Sequence, residues 1–70
     1  MIEHKLKRRL GPQVDLAGWV AAADEAINRY RVLRDHVVSC TTHADGFKDV
    51  ILTLRTYNQF HLELAVASIP

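Results

Sequence analysis

The chain predicts an α+β domain: β-α-β-β, with one helix packed on a three-stranded antiparallel sheet. Three observations carry this. One amphipathic stripe at three- and four-residue spacing begins after Asp15. The stretch Phe47–Tyr57 is rich in Val, Ile, Leu and Thr. From Phe60 the chain alternates, with Phe60, Leu62, Leu64 and Val66 on one face and His61, Glu63, Ala65 and Ala67 on the other. Seventy residues make one domain, 1–70, and no repeat, linker or low-complexity segment divides it.

Residues 2–10 alternate loosely and read as an edge strand, with Lys5, Lys7, Arg8 and Arg9 as the charges exposed edges carry. A basic helical turn is the rival reading. Gly11-Pro12 ends this element. Asp15 can cap a helix running to about Arg34, whose stripe is Leu16, Trp19, Ala23, Ala26, Ile27, Tyr30 and Leu33. Asp24, Glu25, Asn28, Arg31 and Asp35 lie opposite. Val37 to Thr42 turns to β pattern, and Ala44-Asp45-Gly46 reads as a turn or a bulge. Asn58-Gln59 is either a two-residue turn or the interior of one long strand. Helical periodicity also half-fits residues 47–65, but it points Leu52 and Phe60 at water, so sheet is preferred.

Size and composition narrow the function. A chain this short buries only about 60% of its unfolded surface and gains from a disulfide, a metal or self-association. One cysteine, Cys40, excludes an internal disulfide. Val50-Ile51-Leu52-Thr53-Leu54 is apolar on both faces, and a single helix covers only one. If ~400 Å² of apolar sheet stays bare, covering it is worth about 10 kcal/mol before association costs. A homo-oligomer is therefore expected. Formal net charge is +1, which does not demand nucleic acid. No apolar run reaches the ~20 residues of a membrane span. The N-terminal charges have no apolar stretch behind them, and with a lone thiol this favours the cytoplasm.

Few residues suggest chemistry. His36, Cys40 and His43 are zinc-type ligands, but on a strand His36 and Cys40 face one way and His43 the other. Ordinary strand residues are the stronger reading. A metal site shared between copies, with His61, is the remaining one. Cys40 as a nucleophile lacks a visible third group and reads as a small hydrophobe. No glycine-rich phosphate motif occurs. The basic cluster reads as a solvated edge, or as a phosphate contact to a nucleotide-type ligand. No aromatic interleaves it for stacking single strands.

A family resemblance joins these segments. Trp19-Val20-Ala21-Ala22-Ala23-Asp24-Glu25-Ala26-Ile27 resembles the helix start of dodecins, small flavin-binding proteins. Lys5 to Gly11 is similar to their first strand. Arg55-Thr56-Tyr57-Asn58-Gln59 followed by Leu62-Glu63-Leu64-Ala65-Val66 looks like their last. The resemblance implies a β-α-β-β fold whose sheet wraps the helix, assembled as a hollow homododecamer. It also implies flavin (FMN or riboflavin) bound between subunits, or coenzyme A in some members, held without catalysis as a store. Carried over, the ring-edge Gln is Gln59. The stacking Trp falls in the Val38, Ser39, Cys40 stretch, where no aromatic stands. The expected function is non-enzymatic binding and storage of a flavin- or nucleotide-type cofactor near those four residues. A structural protein without flavin, or a small basic nucleic-acid-binding dimer, is the alternative.

Overall fold

The computed structural model describes residues 1–70. Its order is β1 (Ile2–Leu10), α1 (Leu16–Arg29), β2 (Leu33–Arg34), β3 (Ser39–Thr42), β4 (Lys48–Thr56) and α2 (Gln59–Ser68). It is α+β, with a four-stranded antiparallel sheet in place of the expected three strands and two helices in place of one. β4 is central. β1 lies on one side, in a nine-pair register from Ile2 opposite Thr56 to Leu10 opposite Lys48. β2 and β3 share the other side.

Every second residue of β4 is buried: Val50, Leu52, Leu54 and Thr56. Leu6 and Leu10 of β1 extend that face. Trp19, Ala23, Ala26 and Ile27 of α1, with Leu62 and Ala65 of α2, close over it. The helices cover this one face, and the sheet does not wrap a single helix. The opposite face carries Glu3, Lys5, Lys7 and Arg9 from β1, then Asp49, Ile51, Thr53 and Arg55 from β4, and Ser39 and Thr41 from β3. Leu33 of β2, opposite Arg55, lies on this face as well. Its apolar members are Ile51, half-buried, and Leu33, exposed. The bare apolar layer expected from the run 50–54 is not there. A second helix shields the apolar face, and polar side chains make up most of the other, with Leu33 exposed at its β2 edge.

α1 begins where expected, with Asp15 Oδ2 accepting from Gly18 N at 3.1 Å. It ends earlier than its stripe suggests. Arg31 takes a left-handed φ of 58°. Arg31 N donates to Asn28 O at 3.2 Å and Val32 N to Ile27 O at 3.0 Å. These are the paired bonds of a Schellman stop. Buried Val32 packs with Ile27 in the core, and Leu33, expected in the helix stripe, is exposed on β2. Arg34 Nε and Nη2 grip Asp24 at 2.6 and 2.9 Å, tying α1 to β2.

The 36–38 segment loops out between β2 and β3. Three residues there face the single residue Leu52 on β4, so the side chains keep their alternation across the break. Ala44-Asp45-Gly46 forms the tight β3–β4 connection. His43 N donates to Phe47 O and Gly46 N to His43 O, while Asp45 Oδ1 accepts from Phe47 N. Gly46 has φ of 90°, and a Cβ there would lie 2.9 Å from Pro12 Cβ.

The last strand expected from Phe60 is a helix. Asn58 Oδ1 accepts from Phe60 N at 2.9 Å and His61 N at 3.3 Å, a cap for two first-turn donors. The capped turn leads into Leu62-Glu63-Leu64-Ala65, and Leu, Glu and Ala all favour helix. The buried set Leu62, Ala65 and Ile69 is helix-spaced. Trp19 Nε1 donates to Pro70 O at 3.1 Å, pinning this end of the chain to α1. No helix is long and apolar enough to cross a membrane.

Candidate functional site

The four residues expected to hold a cofactor are not brought together within one copy. Ser39 and Cys40 pair with Ile51 and Val50 on the β3 side of β4. Val38 precedes them and packs half-buried on the core. Gln59 opens α2 on the other flank, in a groove of about 290 Å³ with His4 of β1, Leu62, Glu63 and Val66. Ser39 shares the polar sheet face, and Cys40 is an exposed free thiol on the opposite one.

Within one chain the zinc-type residues also lie apart. His36 is exposed beside β2, His43 lies in the hairpin, and His61 is on α2. No three His, Cys, Asp or Glu side chains converge into a metal-binding group. His43 Nε2 instead lies 2.6 Å from Asp49 Oδ2, while Arg9 Nε donates to Asp49 Oδ1 at 2.9 Å. The hydrogen bond from Arg9, then that of His43, holds the Asp49 carboxyl down at about 2. The same bond raises Arg9 above its ordinary value. Arg34 is raised likewise by its bond to Asp24. At the other end of the polar face Arg55 joins Glu3 at 3.3 Å and Asp35. These clusters tie strands together. Lys5 and Lys7 lie between them with no carboxylate partner.

A groove where α1 ends and α2 begins has the make-up of a ligand site. It is an open groove of about 330 Å³, lined by Arg29, Tyr30, Arg31, Phe60, His61 and Leu64. That volume lies at the lower end of the range for small-molecule sites. Phe60 is 64% exposed and four residues from Leu64, so both lie on one face of α2. Tyr30 packs half-buried against the core, and Arg31 is exposed. No carboxylate lines the groove. Glu25 meets Arg29 only at 3.5 Å, in an exposed pair worth little.

Arg31 is out of place on conformational grounds. The stop residue of a Schellman motif is usually glycine, because a side chain in the left-handed region costs roughly 1–2 kcal/mol. Here the costly residue is an arginine that lines the groove. The sequence pattern places Tyr30 on the apolar helix stripe, Phe60 on one face of an alternating segment and Arg31 on the opposite helix face. One signal was legible: on a helical reading, Phe60 points at water. Chemically, the groove offers a ring to stack on, two guanidinium forks for an anion, and an imidazole to donate or accept.

No family model, curated protein or solved structure matches this chain.

Proposed function

We propose that this protein binds, without transforming it, a small planar molecule bearing phosphate, of the flavin or nucleotide type, in the groove between the end of α1 and the start of α2. The observation that carries the reading is Arg31. It holds a strained left-handed conformation where glycine would be more stable, and it lines the same groove as the exposed Phe60. Phe60 stacks on the planar ring, and Arg29 and Arg31 take the phosphate. FMN fits this chemistry. Riboflavin keeps the ring and lacks the charge. Coenzyme A carries both an adenine and phosphates. Storage is the role that a binder without catalysis would fill.

Titration of FMN into the protein, followed by flavin fluorescence, tests the reading. Saturable quenching is expected, with riboflavin roughly tenfold weaker, since charged hydrogen bonds of about 1.5–3 kcal/mol are lost with the phosphate. Phe60→Ala should weaken FMN roughly tenfold or more, since stacking on a ring is worth about 1–3 kcal/mol, and Arg31→Gly should bring FMN part of the way to the affinity of riboflavin, with Arg29 keeping the rest. Equal FMN affinity in wild type and both variants would overturn the site.

The dodecin-like part of the reading adds a shell built from many copies, with a shared pocket that could bring Gln59 of one copy to the Ser39–Cys40 stretch of another. Its support in this chain is the exposed apolar pair Leu33 and Val37 beside that stretch. Native mass spectrometry separates the two arrangements. A mass near twelve subunits, lost in a Leu33→Lys, Val37→Lys variant, sustains the shell; a monomer leaves the groove as the site.

A further inference from the structure

β1 is paired on one side only, and its free edge has a definite chemistry. Asp35 N donates to Thr53 O at 3.1 Å, so Thr53 directs its backbone groups toward β2. By the alternation of an antiparallel ladder, Leu52 and Leu54 direct theirs toward β1. Their register partners Leu6 and His4 are then spent on β4. The backbone groups of Glu3, Lys5, Lys7 and Arg9 point outward instead. The bond from Arg8 Nη1 to Lys7 O at 3.0 Å agrees with this, since that carbonyl faces away from the sheet. These four residues also share the polar sheet face, and three are cations.

We infer that the free edge of β1 accepts an added strand from an extended partner segment with acidic side chains at every second position. Strand addition supplies affinity through main-chain bonds, and alternate side chains supply selectivity. In a paired strand, residues opposite Lys5, Lys7 and Arg9 project on the same face as those cations. Acids at those positions make favourable cross-strand pairs. Lys5 and Lys7 are free to do so, having no partner within the chain. A second copy of β1 fits poorly. The antiparallel register centred on Lys7 sets Lys7 against Lys7 and Lys5 against Arg9. Sliding it to join Glu3 with Lys7 leaves Lys5 against Lys5. The cations thus repel the chain's own edge while attracting an acidic strand.

Two peptides of identical composition test this: Thr-Glu-Val-Glu-Val-Glu-Thr, with alternating acids, and Glu-Glu-Glu-Thr-Val-Val-Thr, with the acids together. The alternating peptide should bind roughly tenfold more tightly, as three matched cross-strand charge pairs allow. Amide exchange should slow at Glu3, Lys5, Lys7 and Arg9, leaving His4, Leu6 and Arg8 unchanged. Lys7→Pro, which deletes an outward N–H that β4 does not use, should lose this protection. Lys7→Gln keeps that N–H and should weaken binding only a few-fold. Equal affinity for the two peptides would show simple charge attraction and overturn the inference. Protection absent from those four amides, or a duplex oligonucleotide competing better than the alternating peptide, would overturn it as well.

Discussion

β4 and α2 present nearly the same alternation on paper and take opposite structures. Lys48–Thr56 reads Lys-Asp-Val-Ile-Leu-Thr-Leu-Arg-Thr, and Gln59–Ser68 reads Gln-Phe-His-Leu-Glu-Leu-Ala-Val-Ala-Ser. Two things part them. β4 holds the β-branched Val50, Ile51, Thr53 and Thr56, which suit a pleated surface, while α2 has only Val66. α2 also follows Asn58, whose side chain satisfies two backbone donors that a strand would leave to a neighbour. In β4 alternation separates a buried face from a polar one. In α2 it is incidental, because Leu62 and Ala65 are buried while Phe60 stands in solvent. Hydrophobic alternation decides the structure only when local propensity and capping agree with it.

Substitutions in the two segments should therefore fail in different ways. The largest effect belongs to β4. Leu52 is fully buried at the centre of the sheet, so Leu52→Ala should cost about 3 kcal/mol in denaturant unfolding, lowering the midpoint of the whole transition. Asn58→Ala should cost about 1 kcal/mol. Its signature is local: amide exchange should quicken across residues 59–68 and stay slow in β4. If β4 loosens equally, the two elements form one cooperative unit and the contrast dissolves.

Arg31→Gly should act in the other direction, raising stability by up to about 1 kcal/mol as the left-handed strain is relieved. A loss of stability would mean that Arg31 packs rather than serves the groove. The smallest effect is electrostatic. The native Asp49 carboxyl titrates at about 2, below its ordinary 3.8. Its contribution is thus complete above pH 3.8 and lost as pH falls through about 2. Acid unfolding curves should show wild type losing more stability than Asp49→Asn between about pH 5 and 2. The difference should be small because the pair is exposed.

Much of the scaffold was legible in the residues. The basic alternation of 2–10, the Asp15 cap, the turn at Ala44-Asp45-Gly46 and the Phe47–Tyr57 strand each rest on local chemistry that tertiary packing did not override. Two features were not. α1 stops at Arg29 because a nearby arginine, Arg31, takes a glycine's conformation, and a stripe that continues to Leu33 gives no sign of it. α2 is apolar on nearly every side, so periodicity could not choose between helix and strand. The groove depends on both of these endings. Its residues come from two distant stretches of sequence and were therefore read as unrelated core and surface. The polar sheet face was misjudged for a related reason. Ile51 made 50–54 look apolar on both sides, while the neighbours that make most of that face polar come from β1 and β3, with Leu33 of β2 the exposed exception.

Both the fold and the groove require that residues 59–68 coil over the sheet. Backbone chemical shifts of the isotope-labelled protein test this most directly. Helical shifts from Gln59 to Ser68, with slow exchange at Leu62 and Ala65, are the predicted result. Extended shifts over that stretch, with Phe60 protected from solvent, would contradict it and leave no cavity for Arg31 to line.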